Sequence, residues 1–231
     1  MPLRSDLDAF YAVLDDLEAR VGGRRRLGDC HGRMRWPRHG VYFFFEPGEH
    51  RTTPSAPQRV VRVGTHAMAA KSRTTLWNRL SQHRGTKNPS GGNHRGSIFR
   101  LLVGEALLNA DPSLNVESWG QGSTAPRDVR EQERPHEVRV NRYLGEMTLL
   151  VLDVLDAPGP DSARGIIERN SIALLSSYRS PALDLPGPRW LGNHSGREKV
   201  RKSGLWNNTH VNETYDPEFL NLFDNLTQRM P

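Results

Sequence analysis

The chain has 231 residues, of which 35% are hydrophobic and 25% charged, and its net charge is +6. The low hydrophobic share indicates an unusually polar surface, and the positive charge favours a polyanionic partner such as a nucleic acid. No run of about 18 apolar residues occurs, so no membrane partner is expected. The single cysteine, Cys30, excludes an internal disulfide and a cysteine-based zinc site.

The amino-terminal segment predicts a helix followed by a basic linker. Residues 5–20 carry apolar side chains at helical spacing, and Ser5 is a suitable cap. Glycine and arginine dominate residues 21–37, which predicts a loop, and residues 1–36 are therefore expected to form one amino-terminal unit of helix and basic linker. Because this segment is rich in acids and lacks the apolar stretch of a signal peptide, we expect a cytoplasmic protein.

Two runs of aromatic and β-branched residues predict neighbouring strands. "GVYFFFE" at Gly40–Glu46 and "QRVVRVGT" at Gln58–Thr65 are each bounded by proline or glycine. A third strand, "MTLLVLDVLD" at Met147–Asp156, is almost wholly apolar and is expected to be central. This order predicts an α+β fold with a small three-stranded mixed or antiparallel sheet flanked by helices. The predicted helices after the first hairpin span residues 74–83, 98–108, 127–142, 162–177 and 216–230.

Charge is distributed unevenly along the chain. No acidic residue occurs between Glu49 and Glu105, whereas ten basic residues fall there. Such a stretch would repel itself unless anions lay nearby, so it predicts a track for phosphates. The ten residues are Arg51, Arg59, Arg62, Lys71, Arg73, Arg79, Arg84, Lys87, Arg95 and Arg100.

Two tripeptides on the predicted hairpin carry a resemblance to a known family. "GVY" at residues 40–42 and "RVG" at residues 62–64 are followed by a helix with Arg79 and, after a strand, by a helix with Glu168. In order and spacing this arrangement resembles the GIY-YIG nuclease superfamily. The spacing of Arg79 and His83 is closer to the type II restriction endonuclease branch. The resemblance covers residues 37–185, with an insertion at about 85–145, and leaves 186–231 as a basic extension ending in a helix.

The resemblance implies a role for each of four residues. Glu168 matches the metal-binding glutamate and would hold Mg²⁺ or Mn²⁺. Arg79 matches the arginine that clamps the scissile phosphate. Tyr42, in the first tripeptide, would polarise the attacking water. His83 would share the work of the general base or bind a phosphate.

Two positions depart from the family pattern. Arg62 stands where the second tripeptide has its tyrosine, and His66, just beyond that tripeptide, is a second candidate for the missing role. The asparagine that often follows the glutamate helix corresponds to Asp184 in "SPALD", with Asn170 and Asn193 as alternatives. The sequence does not decide between these three positions.

Two basic loops are predicted to contact DNA. "GGNHRGS" combines glycines with side chains that can bond phosphates or bases, namely Asn93, His94 and Arg95. The loop near the carboxyl terminus repeats this composition, with Arg197, Lys199, Arg201 and Lys202.

The resulting hypothesis is a metal-dependent endonuclease that hydrolyses phosphodiester bonds in double-stranded DNA, of restriction or mobile-element type. A palindromic target would require a homodimer. Two alternatives remain open. One is a nucleic-acid-binding protein on the same fold with weak or lost catalysis, and the other is a structure-selective repair nuclease.

Overall fold

A computed structural model describes residues 2–52, 57–69, 71–86, 91–159, 161–179 and 183–231. Its helices are α1 Pro2–Val21, α2 Leu76–Arg84, α3 Ile98–Ala110, α4 Arg127–Glu146, α5 Ala163–Leu175, α6 Glu198–Ser203 and α7 Phe219–Thr227. Its strands are β1 Arg25–Arg26, β2 Gly40–His50, β3 Gln58–Gly64 and β4 Thr148–Asp153. Within these ranges no helix has both the length and the apolar character needed to cross a membrane.

The strands form one antiparallel sheet with the order β1-β4-β2-β3. The α+β class is confirmed, but the prediction of three strands was wrong. The fourth strand, β1, lies in the segment predicted to be a linker, where Arg25 pairs with Leu149 and Arg26 with Thr148. Two arginines carry no alternating apolar pattern, so only the neighbouring strand reveals them as a strand.

The two faces of the sheet are covered by different helices. Along β2, Val41, Phe43 and Phe45 join a core with α1, α5 and α7, whereas Tyr42 and Phe44 join a second core with α2, α3 and α4. Alternation sends successive side chains to opposite faces, and both faces are covered. This explains how the whole aromatic run is buried.

The carboxyl-terminal extension is anchored on the sheet by the buried carboxylate of Glu46. Its Oε2 accepts hydrogen bonds from the indoles of Trp190, at 3.1 Å, and Trp206, at 2.9 Å, and its Oε1 accepts one from the hydroxyl of Tyr143. Burial raises the pKa of Glu46, and these hydrogen bonds oppose the rise. The anchor fixes Trp206 beside β3, where the carbonyl of Val61 accepts its backbone N–H.

We expect Glu46→Ala to lower the free energy of unfolding by about 3 kcal/mol or more, because two buried indoles and a partly buried hydroxyl lose their acceptor. Glu46→Gln should cost less, since its amide oxygen can still accept. Urea unfolding monitored by tryptophan fluorescence measures both. The exposed Glu117 supplies the control Glu117→Ala, expected to change stability by less than about 0.5 kcal/mol. Equal stability of the two alanine variants would contradict this account of the anchor.

Candidate functional site

The two tripeptides are brought together by the register of the hairpin. Tyr42 of β2 is paired directly with Gly64 of β3. A Cβ at Gly64 would overlap the hydroxyl and ring of Tyr42. Glycine at this position therefore lets the tyrosine ring lie across β3.

The hydroxyl of Tyr42 forms a buried hydrogen bond with the imidazole of His83. The distance between Tyr42 Oη and His83 Nε2 is 2.9 Å, and His83 Nδ1 lies 2.7 Å from Ser97 Oγ. Burial, together with nearby arginines, holds the pKa of His83 well below its ordinary value, so the ring is neutral at pH 7. The three side chains form a continuous chain of hydrogen bonds.

Capping residues at both ends define helix α2, and His83 lies on its buried face. Thr75 and Asn78 form a reciprocal capping box at its amino terminus, and Gly85, with φ of 72°, follows its last turn. Leu76 and Leu80 are buried beside His83. The face of α2 that carries His83 is thus a buried face.

Glu168 reaches the end of β3 from the first turns of α5. The helix is capped by Ser162, whose Oγ accepts the N–H of Gly165 at 3.2 Å. Glu168 Oε1 accepts the backbone N–H of Thr65 at 3.1 Å, and the other carboxylate oxygen receives no hydrogen bond from the described residues. Burial raises the pKa of Glu168, while Thr65, Arg62 and more distant cations oppose the rise. One carboxylate oxygen is therefore available to a ligand.

Arg79 lies at the edge of the same site. Its Nη1 donates to Gln82 Oε1, at 3.0 Å, and to the carbonyl of Gly96, at 3.2 Å, and the side chain is partly exposed. No described acidic residue forms an ion pair with it. Its charge acts on four groups of the site: Arg62, His66, His83 and Glu168.

Arg62, at the position of the expected tyrosine, is a buried cation. Its guanidinium lies 4.7 Å from the centre of the Phe99 ring, and its Nη1 donates to the carbonyl of Trp206. Its Nε has no hydrogen-bond partner among the described residues. Burial lowers the pKa of Arg62, and the neighbouring Tyr42 and Glu168 oppose that shift. A fixed positive charge therefore lies within electrostatic reach of both the tyrosine and the glutamate.

His66 is buried in the loop that follows β3. Its Nε2 is 3.2 Å from the carbonyl of Arg38, whereas its Nδ1 has no hydrogen-bond partner among the described residues. Burial lowers its pKa to about 4, so the ring is neutral at pH 7. Arg164, paired with Asp156 at 2.7 Å, donates to the His66 carbonyl and holds the loop.

The three candidates for the family asparagine lie outside this cluster. Asp184 pairs with Arg51, whose Nε is 3.3 Å from Asp184 Oδ2. Asn170 accepts the N–H of Asp216, and Asn193 donates to the carbonyl of Gly187. All three make contacts within other parts of the fold.

Asn207 is a residue of this region that the sequence interpretation missed. Its Oδ1 accepts the N–H of Val63 at 3.2 Å, and its Nδ2 donates to the Val63 carbonyl at 2.8 Å. Both bonds are buried and hold the central residue of the second tripeptide. No local pattern marks an amide in a loop for such a role, and only the docking of the extension on β3 reveals it.

The residues of the first predicted DNA-contacting loop bond to one another and to helix α4. Asn93 Oδ1 accepts the N–H of Arg95, the buried His94 lies 3.0 Å from Glu137, and Arg95 pairs with Glu133 at 2.6 Å. These polar atoms are used within the fold. Their assignment as DNA contacts remains a prediction.

The second predicted loop forms α6 and the turn before it. Arg197 pairs with Glu105 at 3.3 Å, Lys202 pairs with Glu198 at 2.6 Å, and Arg201 donates to a backbone carbonyl. Arg201 and Lys202 are exposed, and Lys199 is partly exposed. A surface ion pair of this kind is weak, so these charges remain accessible to phosphates.

Ion pairs divide the acid-free stretch into two groups of cations. Four of its cations are neutralised by acids from outside the stretch or at its boundary: Arg51, Arg59, Arg95 and Arg100. Within the described residues, five others form no ion pair: Arg62, Lys71, Arg73, Arg79 and Arg84. Lys87 lies outside the described ranges. The stretch therefore keeps an excess of positive charge that includes both arginines of the site.

The donor set at Glu168 fits a hard divalent cation. Among the described residues no group of three or more histidine, cysteine or acidic side chains could hold a metal ion. Mg²⁺ is commonly held by one or two carboxylates while it keeps several waters. The open carboxylate oxygen of Glu168 meets that requirement, whereas a zinc site of several protein ligands is not formed by these residues.

Comparison with known proteins places the chain in a family. The sequence model described as the GIY-YIG domain matches residues 1–231, the whole chain. No curated protein and no solved structure shows significant similarity to the chain. The match agrees with the resemblance to this family that the two tripeptides on the hairpin indicate. The chain therefore belongs to the GIY-YIG domain family.

Proposed function

We propose that this protein is a divalent-metal-dependent endonuclease that hydrolyses phosphodiester bonds in double-stranded DNA. Membership of the GIY-YIG family implies an endonuclease. The observation that carries the proposal is the environment of the Glu168 carboxylate. One of its oxygens is open, and Arg62 and Arg79 act on its charge. Arg62 in turn acts on Tyr42, whose hydroxyl is hydrogen-bonded to His83. This combination can hold a cation, a phosphate and a water together.

Glu168 would hold the metal, either Mg²⁺ or Mn²⁺. When bound, the ion would neutralise charge on the phosphate and lower the pKa of a coordinated water. The backbone N–H of Thr65 orients the carboxylate through Oε1, which leaves the second oxygen for the ion. Since burial disfavours the free carboxylate, a cation there also relieves the cost of an isolated buried charge.

The two arginines would bind the scissile phosphate. Arg79 is partly exposed and bonded only to a neutral amide and a carbonyl, so its fork can turn to an incoming phosphate. Arg62 is fixed by Trp206 and Phe99 and supplies a charge that does not have to be reoriented. Together they would oppose the negative charge that develops in the transition state.

The neutral imidazole of His83 would control the proton of Tyr42. With Nδ1–H directed at Ser97, Nε2 accepts the hydroxyl proton of Tyr42 and leaves the phenol oxygen free to accept from a water. Burial and the nearby arginines lower the pKa of His83, so Nε2 stays unprotonated and available to accept this hydrogen bond. Tyr42 would thus orient the attacking water, with His83 as the hydrogen-bond acceptor behind it.

The Arg79-x-x-x-His83 spacing favours a restriction-type enzyme within this proposal, which would act on a palindromic target as a homodimer. The exposed cations of α6 and the unpaired cations of the acid-free stretch supply DNA affinity without sequence preference. The replacement of the second tyrosine by Arg62 favours one competing candidate, a DNA-binding protein with weak catalysis. Cleavage assays separate the two.

We expect Glu168→Gln to reduce cleavage of supercoiled plasmid at least about a hundredfold in Mg²⁺ or Mn²⁺, because it removes the only carboxylate proposed to hold the metal. Binding of a DNA duplex without metal, followed by fluorescence anisotropy, should be retained. Glu117→Gln, at an exposed position, should match the parent in both assays. If Glu168→Gln cuts as fast as the parent, the metal assignment is wrong. Uncut plasmid with the parent protein in both metals, together with tight DNA binding, would support the competing candidate.

We expect Tyr42→Phe to lower the single-turnover rate about a hundredfold or more, since only the hydroxyl that orients water is lost. Its effect on DNA affinity should be small because the residue is buried. The matched control is Tyr178→Phe, whose hydroxyl forms no hydrogen bond with the described residues. A near-parental rate for Tyr42→Phe would assign the tyrosine to packing alone.

Arg79→Ala should lower kcat about a hundredfold while KM for DNA changes little, because one phosphate contact is a small share of the total. Arg79→Lys should recover only part of the rate, since it restores charge without the planar fork. Steady-state cleavage of a labelled duplex measures both, with Arg130→Ala at an exposed position of α4 as control. A loss confined to KM would show that Arg79 binds substrate without acting in the transition state.

A further inference from the structure

His210, in the loop between α6 and α7, has a strained backbone. Its φ is 61°, and among the described non-glycine residues only Ala67 shares a positive φ. An L-residue with a side chain rarely adopts this conformation, and such strain persists where the surrounding structure imposes it, often at functional sites. The strain therefore indicates that contacts on both sides of His210 hold it in place.

The loop is fixed on both sides of His210. On one side, Asn207 forms its two buried hydrogen bonds with Val63 of the second tripeptide. On the other side, Val211 is buried in the core, and its carbonyl accepts the hydroxyl of Ser176 at 2.6 Å. His210 is therefore held close to the end of β3, where Thr65 binds Glu168.

The imidazole of His210 is oriented by a carboxylate. His210 Nδ1 lies 2.7 Å from Glu213 Oε1, and the N–H of Glu213 donates to the carbonyl of His210 in a tight turn. The histidine side chain is 33% exposed, and its Nε2 has no hydrogen-bond partner among the described residues. Because the carboxylate accepts Nδ1–H, Nε2 is left for a ligand from solvent.

His210 also lies within electrostatic reach of Glu168. A positive charge on His210 lowers the pKa of the Glu168 carboxyl, as do Arg62 and Arg79. Arg79 approaches from α2 and Arg62 from β3, whereas His210 approaches from the carboxyl-terminal extension. Side chains from three separate elements thus lie within electrostatic reach of one carboxylate.

We propose that His210, oriented by Glu213, binds a phosphate oxygen of the DNA strand at the Glu168 site. This inference rests on the proposed nuclease function and adds a substrate-contacting residue from the extension. With Nδ1–H donating to Glu213 and Nε2–H donating to the phosphate, the imidazolium is bonded to an anion on each side. Glu213 acts as a positioning residue that does not itself contact DNA.

The test uses His210→Gly, because glycine adopts φ of 61° without strain while it removes the imidazole. The melting temperature of this variant should therefore not fall. We expect a roughly hundredfold lower single-turnover rate at saturating DNA, the loss typical of one removed donor to transition-state charge. Without metal, the salt dependence of duplex binding should have a log–log slope smaller by about one. His194→Ala, at an exposed histidine of the same extension, should equal the parent in all three measurements.

Glu213→Gln separates orientation from folding. Its amide oxygen can still accept Nδ1–H but carries no charge, so we expect about a tenfold lower saturated rate with KM unchanged. A structural role alone would lower the melting temperature and leave the rate of the folded protein intact.

The assignment of His210 would be overturned if the parent cleaves DNA and a stable His210→Gly variant has the same cleavage rate and the same salt slope as the parent. The proposed nuclease function would then still stand. Failure of the parent to bind duplex DNA would overturn both this assignment and the proposed nuclease.

Discussion

The close approach of Tyr42 to Gly64 is the contact around which the rest of the site is arranged. Only glycine leaves room for the phenol ring to cross β3, and the ring then places its hydroxyl against His83. On the same face of the hairpin, Arg62 lies two residues before the glycine, and one residue after it the backbone of Thr65 binds Glu168. One cross-strand pair thus sets the positions of a phenol, an imidazole, a guanidinium and a carboxylate.

Burial shifts the pKa values of the titratable groups at this site. It holds His83 neutral and disfavours the charged forms of Arg62 and Glu168. Within the acid-free stretch, the arginines that pair with acids, such as Arg59 with Glu49, are other than Arg62 and Arg79. Among the described residues, no carboxylate therefore forms an ion pair with either arginine of the site. An anionic DNA strand would neutralise the two arginines, and a divalent cation would neutralise the carboxylate of Glu168.

The sequence predicted what depends on local periodicity and missed what depends on distant partners. The aromatic run at Gly40–Glu46, the helix of His83 and the glutamate helix follow from spacing and turn residues. The strand at Arg25–Arg26 and the amide of Asn207 acquire their roles only from segments far along the chain. The loop of Asn93, His94 and Arg95 has an open, basic composition, yet acids more than 35 residues later, such as Glu133, use its polar atoms. Composition cannot reveal such partners.

The central claim is that Glu168 holds a divalent cation beside the Tyr42–His83 pair, and anomalous diffraction tests it most directly. Crystals of the parent protein with Mn²⁺ and a duplex of uncleavable phosphate chemistry would locate the ion without reliance on turnover. The account predicts one manganese peak about 2.1 Å from the open oxygen of Glu168, with a phosphate oxygen and waters completing its shell. A manganese peak bound elsewhere on the DNA complex, with Glu168 bonded only to protein, would contradict it.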